Sequence, residues 1–102
     1  LPMDIVTKDN ENTRTLSLSG SLDTLTAPEF EGTLCESIKT FDTVVLDLSK
    51  LEYISSAGLR LLLVGLKLAD ADGKEFFLTN VPEDVKKVLD LTGFSDFLKI
   101  RS

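Results

Sequence analysis

The sequence contains no histidine and only one cysteine, Cys35. Without an imidazole, the chain cannot build a Ser-His-Asp or Cys-His site with a base that works near neutral pH. Zinc sites usually need histidine or several cysteines, so a zinc centre is disfavoured as well. We therefore expect no catalytic residues, no metal site and no cofactor, and interpret the chain as a non-enzyme.

A single cysteine also excludes an internal disulfide, which fits a reducing cytoplasm. Cys35 lies beside the apolar stripe of a predicted helix, and packing is the role that we expect for it. No signal peptide is visible. Met3 is a candidate initiator, which would make Leu1 and Pro2 additions to the natural chain. We expect a cytoplasmic protein.

Basic residues and long apolar runs are both scarce. Eleven Lys and Arg stand against 17 Asp and Glu, for a net charge of -6, and the basic residues are scattered. This distribution disfavours nucleic acid and anionic membranes as partners. The longest apolar stretch, 59–71, contains Arg60 and Lys67 and is shorter than the roughly 20 apolar residues of a spanning helix, so we expect no membrane insertion.

The chain has 102 residues, 42% of them hydrophobic, and no linker or repeat, which predicts one domain over 1–102. Apolar spacing predicts the order ββαβαβαβ, and this alternation is typical of a mainly parallel sheet covered by helices. The predicted segments are strands 4–9, 14–19, 43–49, 75–80 and 97–100, and helices from Thr26 to about Phe41, from after Gly58 to Asp72, and over 82–93.

Local signals set the expected ends of these elements. Gly20 is expected to end the second strand, and Gly73 and Gly93 to follow helices. "TAPE" at 26–29 predicts a capping box formed by Thr26 and Glu29. The strand at 43–49 shows little alternation, which predicts cover on both faces, with Asp47 capping a loop at its end.

"EYISSAGLRLLL", 52–63, places Ser55 and Ser56 between a strand and a helix. Sites in open α/β sheets gather where strands end, and helix N-termini stabilise phosphate. Serine is also a good N-cap, so a plain structural role is the alternative at this point. The stretch is neither a GxSxG elbow nor a phosphate-binding loop.

Three ordered stretches carry a resemblance: "LSLSGSLDTLTAPEF", "VVLDLSKLEYISSAGLRLLL" and "FFLTNVPEDVKKVLDLTGF". Over about 4–100 the chain resembles a STAS domain of the bacterial anti-sigma factor antagonist type. The resemblance implies a mixed, mostly parallel sheet of about five strands with helices mainly on one face. It also implies a GHKL-type kinase, itself an anti-sigma factor, that phosphorylates the serine opening the helix, and a phosphatase that restores it.

The family pattern at this helix is Asp-Ser-(Ser/Thr)-Gly-Leu-Gly. Aligned on Gly58, the pattern implies that Ser56 is the phosphate acceptor, with Ser55 in place of the aspartate. Ala57 replaces the small hydroxyl residue, and Arg60 replaces the second glycine.

Other residues are candidates for contacts around the phosphate or with the partner, and Ser55, Ala57 and Gly58 are candidates because they adjoin the acceptor. Asp23 matches a family aspartate near the acceptor, and a turn residue is its alternative role; Thr26 belongs to the same pattern. We also suggest that a docking face contains Arg60, Leu63 and Val64, which could equally be ordinary residues at the edge of the core.

Three functions remain in competition. The first is a regulatory module switched at Ser56. The second is an unphosphorylated STAS scaffold or a subunit of a transport ATPase or sensory complex. The third, a small α/β enzyme or nucleotide-binding protein, is disfavoured by the missing histidine and phosphate loop.

Overall fold

A computed structural model describes residues 3–101, so the interpretation of Leu1 and Pro2 lies outside the described residues. The chain forms an α/β domain with a five-stranded mixed sheet and three helices, as predicted. The elements are β1 (Asp4–Asn10), β2 (Thr13–Leu22), α1 (Ala27–Thr40), β3 (Thr43–Ile54), α2 (Ser56–Ala71), β4 (Glu75–Thr79), α3 (Glu83–Thr92), a short 3-10 helix (Phe94–Asp96) and β5 (Ile100–Arg101).

The strands lie side by side in chain order, from β1 to β5. β1 and β2 form an antiparallel hairpin, and every later pair is parallel. Each crossover helix therefore moves the chain one strand further in the same direction. Because such crossovers are right-handed, helices that advance in one direction pack on the same face of the sheet. The predicted one-sided arrangement follows from the strand order.

The core lies between this face and the helices. In β3, Val44, Leu46 and Leu48 are buried, whereas Val45 and Asp47 between them are partly exposed. The prediction that this strand is covered on both faces is therefore wrong. The β-branched pair Val44 and Val45 favours a strand but does not show how many of its faces are covered. The largest fully buried side chains include Leu16, Leu18, Phe30, Leu34, Ile38, Leu46, Leu62 and Phe76.

β2 and β3 are both longer than predicted. Gly20 does not end β2; it lies inside the strand with φ of 90°, next to a shift in the register with β3. A glycine in a strand can mark such an irregularity as well as an end. β3 continues to Ile54, so Asp47 lies within it rather than at its end. The Asp47 carboxylate accepts hydrogen bonds from the Ser49 amide (3.0 Å) and the Asn80 side-chain amide (3.3 Å).

The carboxyl termini of the helices match the sequence signals more closely than their amino termini do. Gly73 and Gly93 have φ of 67° and 82°, the left-handed conformation expected after a helix. The capping box at Thr26 and Glu29 is wrong, because no side chain caps α1. The Thr26 hydroxyl accepts a hydrogen bond from the Asp23 amide and donates one to the Ser21 carbonyl, so it binds the preceding loop instead.

The carboxyl terminus also differs from its prediction. Only Ile100 and Arg101 pair with β4, and residues 94–96 form a 3-10 helix. Of the predicted strand 97–100, Phe97 is exposed and Leu98 is buried. On α1, Cys35 is partly exposed at the edge of the buried stripe, and packing remains its predicted role. Among the described residues, no helix has the length and hydrophobicity needed to cross a membrane.

α2 begins at Ser56 with Ser55 in the N-cap position, so the helix starts at the serine pair, as expected of good N-cap residues, and before the apolar run that follows Gly58. Its first turn lies against the end of β2. The Ser55 amide donates a hydrogen bond to the Leu22 carbonyl (2.9 Å). A Cβ on Gly58 would lie 2.8 Å from the same carbonyl oxygen and 2.8 Å from Ile54 Cγ1. Residue 58 must therefore be glycine for α2 to approach β2 this closely.

We expect Gly58→Ala to lower the free energy of unfolding by about 2 kcal/mol, because the methyl group would collide with a backbone oxygen that cannot rotate away. Gly32→Ala on α1 is the matched control: a Cβ there meets nothing within 4 Å. That substitution should raise stability by about 0.5–1 kcal/mol through helix propensity. Urea unfolding of both variants measures the difference, and equal stability of the two would contradict the close contact.

Candidate functional site

The candidate site lies where two neighbouring parallel strands end. Leu22 at the end of β2 pairs with Ile54 at the end of β3. Asp23 directly follows the first of these strands, and Ser55 and Ser56 follow the second. The topology therefore brings the predicted aspartate and the two serines to one edge of the sheet, the edge where ligands and partners are commonly bound in such folds.

The two serines differ in their surroundings. Ser55 occupies the N-cap position of α2, but it makes no side-chain cap hydrogen bond, and its Oγ is buried without a partner among the described residues. Ser56 is the first residue of the helix and is exposed. Ser56 therefore carries the hydroxyl that a modifying enzyme could reach, and the plain role of a side-chain cap is not performed by Ser55.

The amides of the first turn of α2 give the site its capacity to stabilise an anion. The first amides of a helix have no intrahelical partners and bear a partial positive charge. No side chain caps them, and no acidic residue lies in the first turn. The end of the helix can therefore stabilise an anion attached at Ser56.

Asp23 organises the loop beside this helix end. Its Oδ1 accepts hydrogen bonds from the amides of Leu25 (3.0 Å) and Thr26 (3.1 Å). The hydrogen bond from the Thr26 amide is the main cause that holds the pKa of Asp23 below its usual value. Asp23 is thus ionised at neutral pH and acts as a turn residue, while its position also brings a fixed negative charge to the site.

A groove of about 260 Å³ runs between α1 and α2. It is lined by Thr24, Ala27, Pro28, Glu31, Ala57, Arg60, Leu61 and Val64. Three of the candidate residues therefore share one surface: Ala57, Arg60 and Val64. Leu63 does not line the groove; it is half-buried and packs against the core, as the alternative interpretation describes.

Several surface residues near these elements were not predicted from the sequence. Leu25, in the loop before α1, is 85% exposed, and Tyr53, near the end of β3, is 56% exposed. Glu31 lines the groove but was not predicted there. Exposed apolar side chains are typical of protein interfaces, but only burial reveals which ones are exposed. Residues 3–101 hold no group of three side chains that could ligate a metal ion.

Comparison with known proteins gives consistent results. The model of the STAS domain family matches residues 4–102. The protein BtrV of Bordetella bronchiseptica, assigned as an anti-sigma factor antagonist, is 39% identical over 79 residues, which cover 76% of this chain and 67% of BtrV.

Solved structures show the same fold. A Thermotoga maritima protein assigned as an anti-sigma factor antagonist superposes with a TM-score of 0.88 and 26% identity, over 96% of this chain and 86% of that chain. The Bacillus anti-sigma factor antagonist SpoIIAA is 18% identical, a likeness of fold alone. Its unphosphorylated form gives a TM-score of 0.78 over 97% of this chain and 88% of its own. Its phosphorylated form gives 0.75 over 97% and 92%.

The family match spans the sheet, the helices and the candidate site. The strand order of the sheet accounts for the position of Ser56 beside the loop that starts at Asp23. The chain belongs to the STAS domain family, and its relatives include anti-sigma factor antagonists.

Proposed function

We propose that this chain is an anti-sigma factor antagonist that binds a GHKL-type serine kinase, itself an anti-sigma factor, and is switched by phosphorylation of Ser56. One observation carries the proposal. Ser56 presents an exposed hydroxyl at the uncapped amino terminus of α2, next to the groove, whereas the hydroxyl of the adjacent Ser55 is buried.

The switch works through charge at the docking surface. Unmodified Ser56 presents a small neutral group over which a partner can dock. A phosphate adds about -1.5 to -2 charges and three acceptor oxygens. Asp23, in the adjoining loop, and Glu31, which lines the groove, already contribute negative charge near the site. The added charge and bulk therefore weaken the complex through repulsion and desolvation.

The fold does not need to change when the switch operates. Ser56 lies at the surface, and the helix amides next to it are free to hold the phosphate. SpoIIAA, which shares the fold, has been solved in both its unphosphorylated and phosphorylated forms. In the proposal a phosphatase returns Ser56 to the free hydroxyl, and the protein acts in the cytoplasm, where ATP serves the kinase.

We expect the cognate kinase and ATP to add one phosphate to the protein, at Ser56, detectable by mass spectrometry of the intact chain and its peptides. Ser56→Ala should remain unmodified, and Ser55→Ala is the matched control that should still be modified. Ser56 is not the N-cap, so Ser56→Ala should change stability by less than about 0.5 kcal/mol, which makes it a clean test.

Two outcomes would contradict this assignment. If Ser56→Ala is modified as fully as the parent protein, the acceptor is another residue. If the parent protein takes up no phosphate while still forming a complex with its partner, the alternative of an unphosphorylated scaffold or transporter subunit replaces the switch.

Ser56→Asp should weaken binding to the kinase about tenfold or more while the far-ultraviolet circular dichroism stays unchanged, because it introduces a negative charge at the docking surface. Ser56→Asn is the matched control, with nearly the same shape and no charge. Isothermal titration calorimetry of the three proteins separates charge from bulk: equal losses for Asp and Asn would rule out the charge mechanism.

A further inference from the structure

Arg60 lies one helical turn after Ser56 on α2. Residues four apart on a helix are neighbours, with Cβ atoms about 5–6 Å apart. Both side chains are exposed. Within residues 3–101, Arg60 makes no ion pair and no side-chain hydrogen bond, in contrast to Arg14 and Arg101, whose guanidinium groups bind carboxylates. Arg60 is thus a cation without a fixed partner, within reach of the candidate phosphate.

The helix itself offers Arg60 no competing anion. The positions that could reach it from three or four residues away are Ser56, Ala57, Leu63 and Val64, none of which is charged. Glu31 on α1 is the carboxylate that lines the groove, and it is in none of the ion pairs found among the described residues. Among the described residues that line the groove, Arg60 is the one basic side chain.

We propose that Arg60 binds the phosphate on Ser56, and that phosphorylation thereby draws the groove's basic side chain away from its docking surface. This inference rests on the proposed function, since it concerns the modified form of the same site. A guanidinium presents paired donors that match phosphate oxygens, and the order anion then cation, four residues apart, is the favourable one on a helix.

The consequence is a double change at one surface. In the unmodified protein the described lining of the groove includes one basic side chain, Arg60, and one acidic side chain, Glu31. In the phosphorylated protein Arg60 pairs with the phosphate, and Glu31 is left as the charge that lines the groove. A partner that binds the groove with an acidic side chain loses its counter-charge at the moment when the phosphate appears.

The test uses protein in which phosphoserine is inserted at position 56 during translation, so that no kinase is needed. Phosphorus NMR then follows the second ionisation of the phosphate, whose pKa is about 6 for free phosphoserine. Arg60 should hold this pKa about 0.5 units lower than Arg60→Gln does, since a neighbouring cation favours the dianion. Arg60→Lys should restore part of the shift. The acidic residues of the adjoining loop and of the groove, Asp23 and Glu31, are the same in all variants.

Lys67→Gln is the matched control. Lys67 is exposed on the same helix but lies about 16 Å from Ser56 along the helix axis. Its removal should therefore leave the phosphate pKa within about 0.1 units of the parent value. Equal pKa values for the parent and Arg60→Gln would overturn the proposal. A phosphate pKa raised as much in Lys67→Gln as in Arg60→Gln would also overturn it, because the shift would then reflect the overall field of the protein. Lack of phosphorylation by any kinase would remove the proposed function but would not change this measurement.

Discussion

The close contact between the first turn of α2 and the end of β2 determines the geometry of the site. The hydrogen bond from the Ser55 amide to the Leu22 carbonyl and the absence of a Cβ at Gly58 bring the two elements together. The contact directs the Ser55 hydroxyl into the protein and leaves Ser56 at the surface. It also fixes the distance between the helix end and the loop that starts at Asp23. A larger residue at position 58 would move all of these groups at once.

The sheet topology makes this contact possible. Because the strands advance in one direction and all helices pack on one face, β2 and β3 end side by side, and the elements that follow them are neighbours. Below the site, leucines of α2 such as Leu59, Leu62 and Leu66 pack into the core, so the helix is held by its buried face. The exposed face at its amino terminus is therefore free to change charge without changing the packing.

The sequence predicts the number and type of elements and the carboxyl termini of the helices that glycine ends, because periodicity and glycine placement act locally. It fails where the outcome depends on tertiary contacts. Gly20 looks like a strand end but lies in a register shift between β2 and β3, and Thr26 has the pattern of a capping residue but binds the preceding loop. From the residues alone the two serines are equivalent candidates. The family pattern selects Ser56, and burial of the Ser55 hydroxyl then gives an independent physical reason for the same choice.

The departures from the family pattern at Ser55 and Arg60 have a common electrostatic effect. An aspartate at position 55 would bring a negative charge to the helix end and could accept hydrogen bonds from the first-turn amides, which the buried serine does not do. A glycine at position 60 would bring no charge. Relative to that pattern, Ser55 removes one negative charge and Arg60 adds one positive charge, so the helix end is more positive by two units. In the switch that we propose, both changes would stabilise a phosphate dianion on Ser56, relative to the same group in a chain with the usual pattern.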